Sequence, residues 1–143
     1  MSEVYVPPSG PPQGCAPSRK IFALMGEENL FRMCKDFYAE LEQSEIRGMF
    51  PEDMVAASEK LACFLAGLFG GPPLYQRRYG NPMMRKRHLP FHIDEQARQV
   101  WLSNFMRVLE EAPEKYNFPE EHLPGFKHFL QEFSGWMVNR RSD

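Results

Sequence analysis

The 143-residue sequence lacks the features that would place a protein in a membrane or in an oxidising compartment. No apolar run is long enough to span a bilayer, and the N-terminus lacks the charged and then apolar pattern of a signal peptide. The three cysteines are widely spaced, and Cys34 and Cys63 fall in apolar helical stretches, so we expect buried free thiols and a cytoplasmic protein. The formal net charge of -2 does not favour a nucleic acid partner.

The alternation of apolar and polar residues that is typical of strands is also missing, which favours an all-α fold. Apolar residues instead recur at steps of three and four. They predict four long helices: residues 27–43, a second between Pro51 and residues 70–72, a third marked by Ile93 to Val108, and a last marked by Leu123 to Met137. The inner stripe predicted for the second helix consists of Met54, Ala57, Leu61, Phe64, Leu65 and Leu68. We predict a turn-rich loop over residues 70–82 and a short helix over residues 82–88 that ends before Pro90.

The N-terminal stretch differs in composition from the rest of the chain. Its first twenty residues contain five prolines and few aliphatic side chains, so they cannot bury enough apolar surface to offset the entropy lost on ordering. We therefore predict a flexible extension over residues 1–18 and a single domain over residues 19–143.

Two of the four histidines, His88 and His92, are four residues apart, a spacing at which imidazoles on one helix face can chelate zinc. Pro90 between them should break the helix, so we do not expect the two rings to share a face. Arg85 lies one helical turn before His88, and Arg87 is its neighbour. An axial imidazole beside cations suits a cofactor with a metal centre and anionic edge groups, such as haem. The absence of a C-x-x-C-H motif indicates non-covalent, b-type haem.

Longer motifs extend this interpretation. Several sequence motifs resemble those of the truncated globins, most closely their group II. In chain order they are DFYAEL, FPED before a helix that ends in FLAGLFGGPPLY, GNPMMRKRHLPFHI, and WL. The resemblance covers roughly residues 21–137 and implies a two-over-two helical sandwich around haem. It also implies that His88 is the proximal iron ligand, that Phe50 packs on the porphyrin, that Tyr38 faces the bound ligand, and that Trp101 closes the ligand cage.

The distal helix offers no hydrogen-bond donor at Ala57 and Leu61, the two positions that the resemblance places nearest the iron. No histidine precedes His88, so a distal histidine is excluded as well. The oxygens of bound dioxygen carry partial negative charge, which a hydrogen-bond donor would stabilise. The candidate donors are the Tyr38 hydroxyl and the Trp101 indole N–H. The alternative is that both are ordinary core aromatics on helical stripes.

Four further residues are candidate cofactor contacts. Arg85, Arg87 and Tyr75 are candidates for the haem propionates, with solvated loop charges as the alternative for the two arginines, and Phe64 is a candidate apolar contact. No residue is assigned a catalytic role.

Two classes of function fit these residues. One is reversible binding of dioxygen or another small diatomic ligand, as in oxygen transport. The other is a haem enzyme, either peroxidase-like or a nitric oxide dioxygenase. No flavin or nicotinamide motif is present, so an enzyme would need an external reductase as its partner. The sequence leaves the choice between carrier and enzyme open.

Overall fold

The computed structural model describes residues 4–14 and 16–141, and in that part of the chain it contains helices and no strand. The all-α prediction is confirmed. The helices are α1 (Ile21–Met25), α2 (Glu27–Glu42), α3 (Met54–Leu68), α4 (Leu74–Tyr79), α5 (Met84–His88), α6 (Glu95–Glu110), α7 (Ala112–Tyr116) and α8 (Leu123–Met137), with short 3₁₀ helices at Arg47–Met49 and Glu120–His122. None of the described helices is both long and apolar enough to cross a membrane.

The four longest helices form the frame of the molecule. Helix α2 packs on α3, α6 packs on α8, and α2 and α6 also contact each other. Aromatic side chains fill the space between them: the Phe37 ring of α2 stacks on Phe105 of α6 at 4.1 Å between ring centroids, and Phe105 meets Phe126 of α8 edge-on at 5.7 Å. The result is the expected sandwich of two helix pairs, with its core at the centre.

The long helices were predictable because each has an apolar face and a local signal at an end. Asp53 caps α3 by accepting a hydrogen bond from the Ala56 N–H at 3.0 Å, and Asp94 caps α6 in the same way through Ala97 at 2.9 Å. After α3 the chain turns at Gly70, whose φ is +91° and where a Cβ atom would lie 1.8 Å from the Arg19 carbonyl oxygen. Only glycine fits this turn.

Helix α4 is the main difference from the predicted secondary structure, because it lies inside the stretch that we expected to be an irregular loop. Pro73 precedes this helix, and Gly80, with a φ of +87°, ends it. Six residues are fewer than two helical turns, too few to give a recognisable periodic pattern. The short helix α5 falls within the predicted residues 82–88 and ends, as expected, before Pro90.

Helix α3 carries apolar or small residues on two faces. The buried ones include Ser58, Ala62, Cys63 and Ala66, whereas most of the predicted inner stripe is only partly buried. The partly buried members are Ala57, Leu61, Phe64 and Leu68. A globular helix normally hides its apolar stripe. This helix therefore presents a second apolar face that the described protein atoms cover only in part.

Buried free thiols are confirmed at Cys34 and Cys63, while Cys15 lies outside the described residues.

The described residues of the N-terminal extension form no helix, but they contact the C-terminal end of the domain. The backbone N–H of Tyr5 donates to the Asn139 carbonyl oxygen at 2.9 Å. The flexibility of residues 1–18 stays a prediction.

Candidate functional site

His88 is the last residue of α5, and its ring is held by its own helix. The Nδ1–H donates to the Met84 carbonyl oxygen at 2.6 Å, which leaves the lone pair on Nε2. Burial lowers the pKa of His88 below its ordinary value, against the smaller effect of the Met84 hydrogen bond, so the ring is neutral near pH 7. Nε2 has no hydrogen-bond partner among the described residues. A neutral imidazole oriented through one nitrogen, with the other nitrogen unpaired, is the form that ligates a metal.

The second histidine of the pair is placed differently. His92 is exposed and lies beyond the end of α5, in the segment that leads to α6. In the described part of the chain, His, Cys, Asp and Glu side chains form no group of three or more that could hold a metal ion. Among the described residues, His88 therefore does not belong to a metal site built from three or more such side chains.

Two of the predicted distal residues, Tyr38 and Trp101, meet at the buried ring of Phe37, and Phe50, the predicted porphyrin contact, packs beside Tyr38. Tyr38, next to Phe37 on α2, and Trp101 on α6 each meet the Phe37 ring edge-on, at 5.6 and 5.5 Å between centroids. Phe50, which follows the first 3₁₀ helix, meets the Tyr38 ring at 5.6 Å. Tyr38, Phe50 and Trp101 are all partly buried, whereas Phe37 is fully buried. The structure thus brings together aromatics that are far apart in the sequence.

The polar ends of Tyr38 and Trp101 are free to meet a ligand. Neither the Tyr38 hydroxyl nor the Trp101 indole N–H forms a hydrogen bond with another described residue. Burial raises the pKa of the Tyr38 phenol well above its ordinary range, so the hydroxyl keeps its proton and remains a donor. An ordinary core tyrosine or tryptophan usually finds a polar partner. The roles of Tyr38 and Trp101 as donors stay a prediction.

Arg47 holds the loop that carries Phe50, and sequence reasoning missed it. Its guanidinium donates to the carbonyl oxygens of Phe50 and Pro51 at 3.3 and 3.1 Å, and to that of Glu52 at 3.3 Å. These bonds fix the turn between the 3₁₀ helix and α3. An arginine three to five residues before its acceptors gives no pattern that would have revealed this role.

The partly buried face of α3 forms an apolar wall of Ala57, Leu61 and Phe64. The Phe64 ring lies 6.2 Å from the ring of Tyr75 on α4 and 5.5 Å from that of Phe133 on α8. Phe64 also lines a cleft of about 340 Å³ beside α4, together with Leu68 and Tyr75. This wall contains no acid, base or strong hydrogen-bond donor, as the sequence predicted for Ala57 and Leu61.

The two predicted propionate-binding arginines point to different parts of the molecule. The Arg87 guanidinium lies 5.4 Å from the centre of the Tyr75 ring and donates to the Tyr79 and Asn81 carbonyl oxygens. Arg85 instead reaches the C-terminal end of α8, where it donates to backbone carbonyl oxygens and lies over the Trp136 ring at 4.5 Å. Arg87 and Tyr75 therefore stay beside Phe64, whereas the guanidinium of Arg85 is engaged elsewhere.

The residues present fit haem. A neutral imidazole nitrogen is available for iron, aromatic and aliphatic side chains that are only partly buried can cover a flat apolar ring, and a guanidinium beside a tyrosine can meet carboxylates at the ring edge. A two-over-two helical sandwich with this set of residues defines a truncated globin. The chain belongs to the bacterial-like globin family, whose model matches residues 20–138.

Individual relatives agree with this assignment. The chain is 37% identical to the group 2 truncated hemoglobin YjbI of Bacillus subtilis over 83 residues, which are 57% of this chain and 63% of that protein, so the match spans less than two thirds of the relative. The structure of phosphate-bound Hell's gate globin IV superposes with a TM-score of 0.83 at 33% identity, over 92% of this chain and 82% of that one. For the truncated oxygen-avid haemoglobin from Bacillus subtilis, the TM-score is 0.76 at 30% identity, over 84% and 99%. The resemblance to group II truncated globins is confirmed.

Proposed function

We propose that this protein binds dioxygen or another small diatomic ligand reversibly at a b-type haem, with His88 Nε2 as the proximal iron ligand. The observation that carries the proposal is the His88 ring itself, which is neutral, fixed through Nδ1 on Met84 and unpaired at Nε2. When bound there, ferrous haem would supply the iron to which a diatomic ligand binds. The oxygen-avid relative supports dioxygen as the ligand, and the buried free thiols of Cys34 and Cys63 suit a cytoplasmic protein.

On the distal side, the Tyr38 hydroxyl and the Trp101 N–H donate hydrogen bonds to the ligand. Both side chains lean on Phe37, which is completely buried, so their rings need little reordering when a ligand arrives. Ala57 and Leu61 line the remaining distal surface and keep it apolar, which limits the entry of water. Dioxygen, whose oxygens become partly negative on binding, gains more from the two donors than a less polar ligand does.

Around the rest of the cofactor, Phe50 and Phe64 pack against the porphyrin, while Arg87 and Tyr75 serve the propionates. Arg87 keeps its cation beside the Tyr75 ring through hydrogen bonds to backbone carbonyls, so the charge is held in place before the cofactor arrives. Arg85 was a sequence candidate for the same task. It would serve a propionate only by leaving its carbonyl acceptors at the end of α8.

The distal wall favours reversible binding over peroxidase chemistry. Peroxidase chemistry relies on a positioned acid or base next to the bound oxygens, and Ala57 and Leu61 supply neither. Nitric oxide dioxygenation would need an external reductase as a partner to return electrons to the iron.

The test is to reconstitute the protein with haem and to compare the wild type with His88→Ala and His92→Ala. We expect stable haem, and ferrous oxygen and carbonyl adducts, in the wild type and in His92→Ala, because His92 is exposed and outside α5. His88→Ala should lose stable haem. Equal loss in both variants, or loss in His92→Ala alone, would refute the assignment of His88. Rapid peroxide turnover by the wild type would favour the enzyme.

A further inference from the structure

Asn139 lies beyond the last helix, yet it is completely buried. Its side-chain Nδ2 donates to the His88 carbonyl oxygen at 3.1 Å, and its Oδ1 accepts from the Ile93 N–H at 3.0 Å. Its backbone N–H donates to the Ile93 carbonyl oxygen at 2.8 Å. One amide therefore joins both ends of the segment that follows α5. Asparagine is seldom completely buried, and here its side-chain and backbone polar groups are all paired, which indicates a structural task for this residue.

Arg85 provides a second attachment between the same two elements. One nitrogen of its guanidinium, Nη1, donates to the carbonyl oxygens of Trp136 and, at 2.8 Å, of Val138. The other, Nη2, donates to the Tyr5 carbonyl oxygen at 2.7 Å.

Helix α5 needs such attachments because it cannot fix its own position. It has five residues, none of them buried, and isolated helices of this length are unstable. Its main tertiary contact is with α8, and Arg87 also links it to α4. Since the His88 ring is oriented by Met84 within the same short helix, any movement of α5 also moves the His88 Nε2 atom.

We propose that Asn139 is a positioning residue for His88, which sets the place of the imidazole by binding the His88 carbonyl oxygen and the Ile93 N–H together. The proposal rests on the proposed role of His88 as the iron ligand. It assigns to the C-terminal residues after α8 a task at the cofactor, not merely the closing of the fold.

The test uses two substitutions that separate the hydrogen bonds of Asn139. Asn139→Asp keeps an acceptor for the Ile93 N–H but removes the donor to His88 and places a carboxylate against the His88 carbonyl oxygen. Asn139→Ala removes both bonds. Asn104→Ala is the matched control, because Asn104 is also a buried asparagine, but its amide donates to the Val100 carbonyl oxygen within α6.

Two measurements on the haem-loaded ferrous protein decide the outcome. The iron–histidine stretching band in the resonance Raman spectrum should shift and broaden in Asn139→Asp and Asn139→Ala, while Asn104→Ala keeps the wild-type band. Haem transfer to an acceptor apoglobin should become about fivefold to tenfold faster in both Asn139 variants, the equivalent of about one lost hydrogen bond. Amide hydrogen exchange should show Ile93 protected in Asn139→Asp and exposed in Asn139→Ala.

A wild-type iron–histidine band that persists unchanged in both Asn139 variants would overturn the positioning role and leave the proposed function intact. A wild type that binds haem without such a band would refute the proposed function instead. If Asn139→Ala does not fold, Asn139→Asp alone decides between a positioning role and a structural one, since it keeps the link to Ile93 and loses the link to His88.

Discussion

The donor role of Tyr38 and Trp101 predicts how fast each variant releases oxygen. Tyr38→Phe removes one hydroxyl and keeps the ring that meets Phe37 and Phe50, each at 5.6 Å. Trp101→Phe removes the indole N–H. A hydrogen bond to a charged acceptor contributes about 1.5 to 3 kcal/mol, so each variant should release oxygen about tenfold to a hundredfold faster if the loss appears in the dissociation rate.

Carbon monoxide separates hydrogen bonding from a change in pocket volume. Its bound form carries less negative charge, so its dissociation rate should change much less than that of oxygen in both variants. The effects of the two substitutions on oxygen release should not add in the double variant, because donors that share one ligand are coupled. The assay is stopped-flow ligand displacement for both gases, with each single variant and the double variant.

Tyr116→Phe is the matched control for the loss of a tyrosine hydroxyl. The Tyr116 hydroxyl is buried and donates to Asp36 Oδ2 at 2.5 Å, so its removal should lower stability and leave oxygen release unchanged. Unchanged oxygen release in both Tyr38→Phe and Trp101→Phe would refute the reasoning. Tyr38 and Trp101 would then be core aromatics, and the described distal residues would offer no polar group to stabilise dioxygen.

Two further predictions concern the extension and pH. Removal of residues 1–18 takes away the Tyr5 partner of Arg85 and Asn139 but leaves the side-chain bonds of Asn139 and the bonds of Arg85 to the end of α8, so the haem spectrum and ligand entry rates should be unchanged. A shifted spectrum or faster ligand entry would show that the extension covers the pocket. Because burial lowers the folded-state pKa of His88, the unfolded state binds its proton first as pH falls, so apoprotein stability should be highest above the ordinary pKa of 6.5 and decrease below it. Urea unfolding from pH 8 to 5 checks this. The His88→Gln variant should lose part of the decrease and His92→Gln should not; equal profiles would contradict the prediction.

The extent to which the fold was predictable follows from the length of each element. Helices α2, α3, α6 and α8 are long enough for apolar periodicity and end signals to define them, and their predicted ranges were close to those observed. Helix α4 was missed because six residues are too few to show the helical periodicity of apolar side chains. The inner stripe of α3 was only partly recovered. Periodicity reports an apolar face, but it does not distinguish a face buried by protein from one that lies against a cofactor.

The site was predictable where a residue type carries its chemistry and hidden where a backbone atom is the partner. The resemblance to truncated globins made Tyr38 and Trp101 candidates and agreed with the neighbourhood of His88, and the imidazole, phenol and indole groups suit the roles that it implies. The carbonyl oxygen of Met84 has no sequence signature, since every residue has one. Arg85 illustrates the same limit: its chemistry suggested a propionate, but its acceptors at Trp136 and Val138 are 51 and 53 residues away, and no local pattern predicts such a contact.

The two sides of the candidate haem site are built from different parts of the fold. Tyr38 and Trp101, the proposed distal donors, lie on α2 and α6 around Phe37, whereas His88 ends α5 and its carbonyl oxygen accepts from Asn139, which follows α8. Tyr38 and Asn139 share no hydrogen-bond or ring partner among the described contacts, so their substitutions should act independently, to within about 0.3 to 0.5 kcal/mol. Tyr38 and Trp101, in contrast, both rest on Phe37 and should be coupled. The proposed roles therefore predict that a distal substitution changes oxygen release without changing the iron–histidine stretching band, and that an Asn139 substitution changes that band without removing the distal donors.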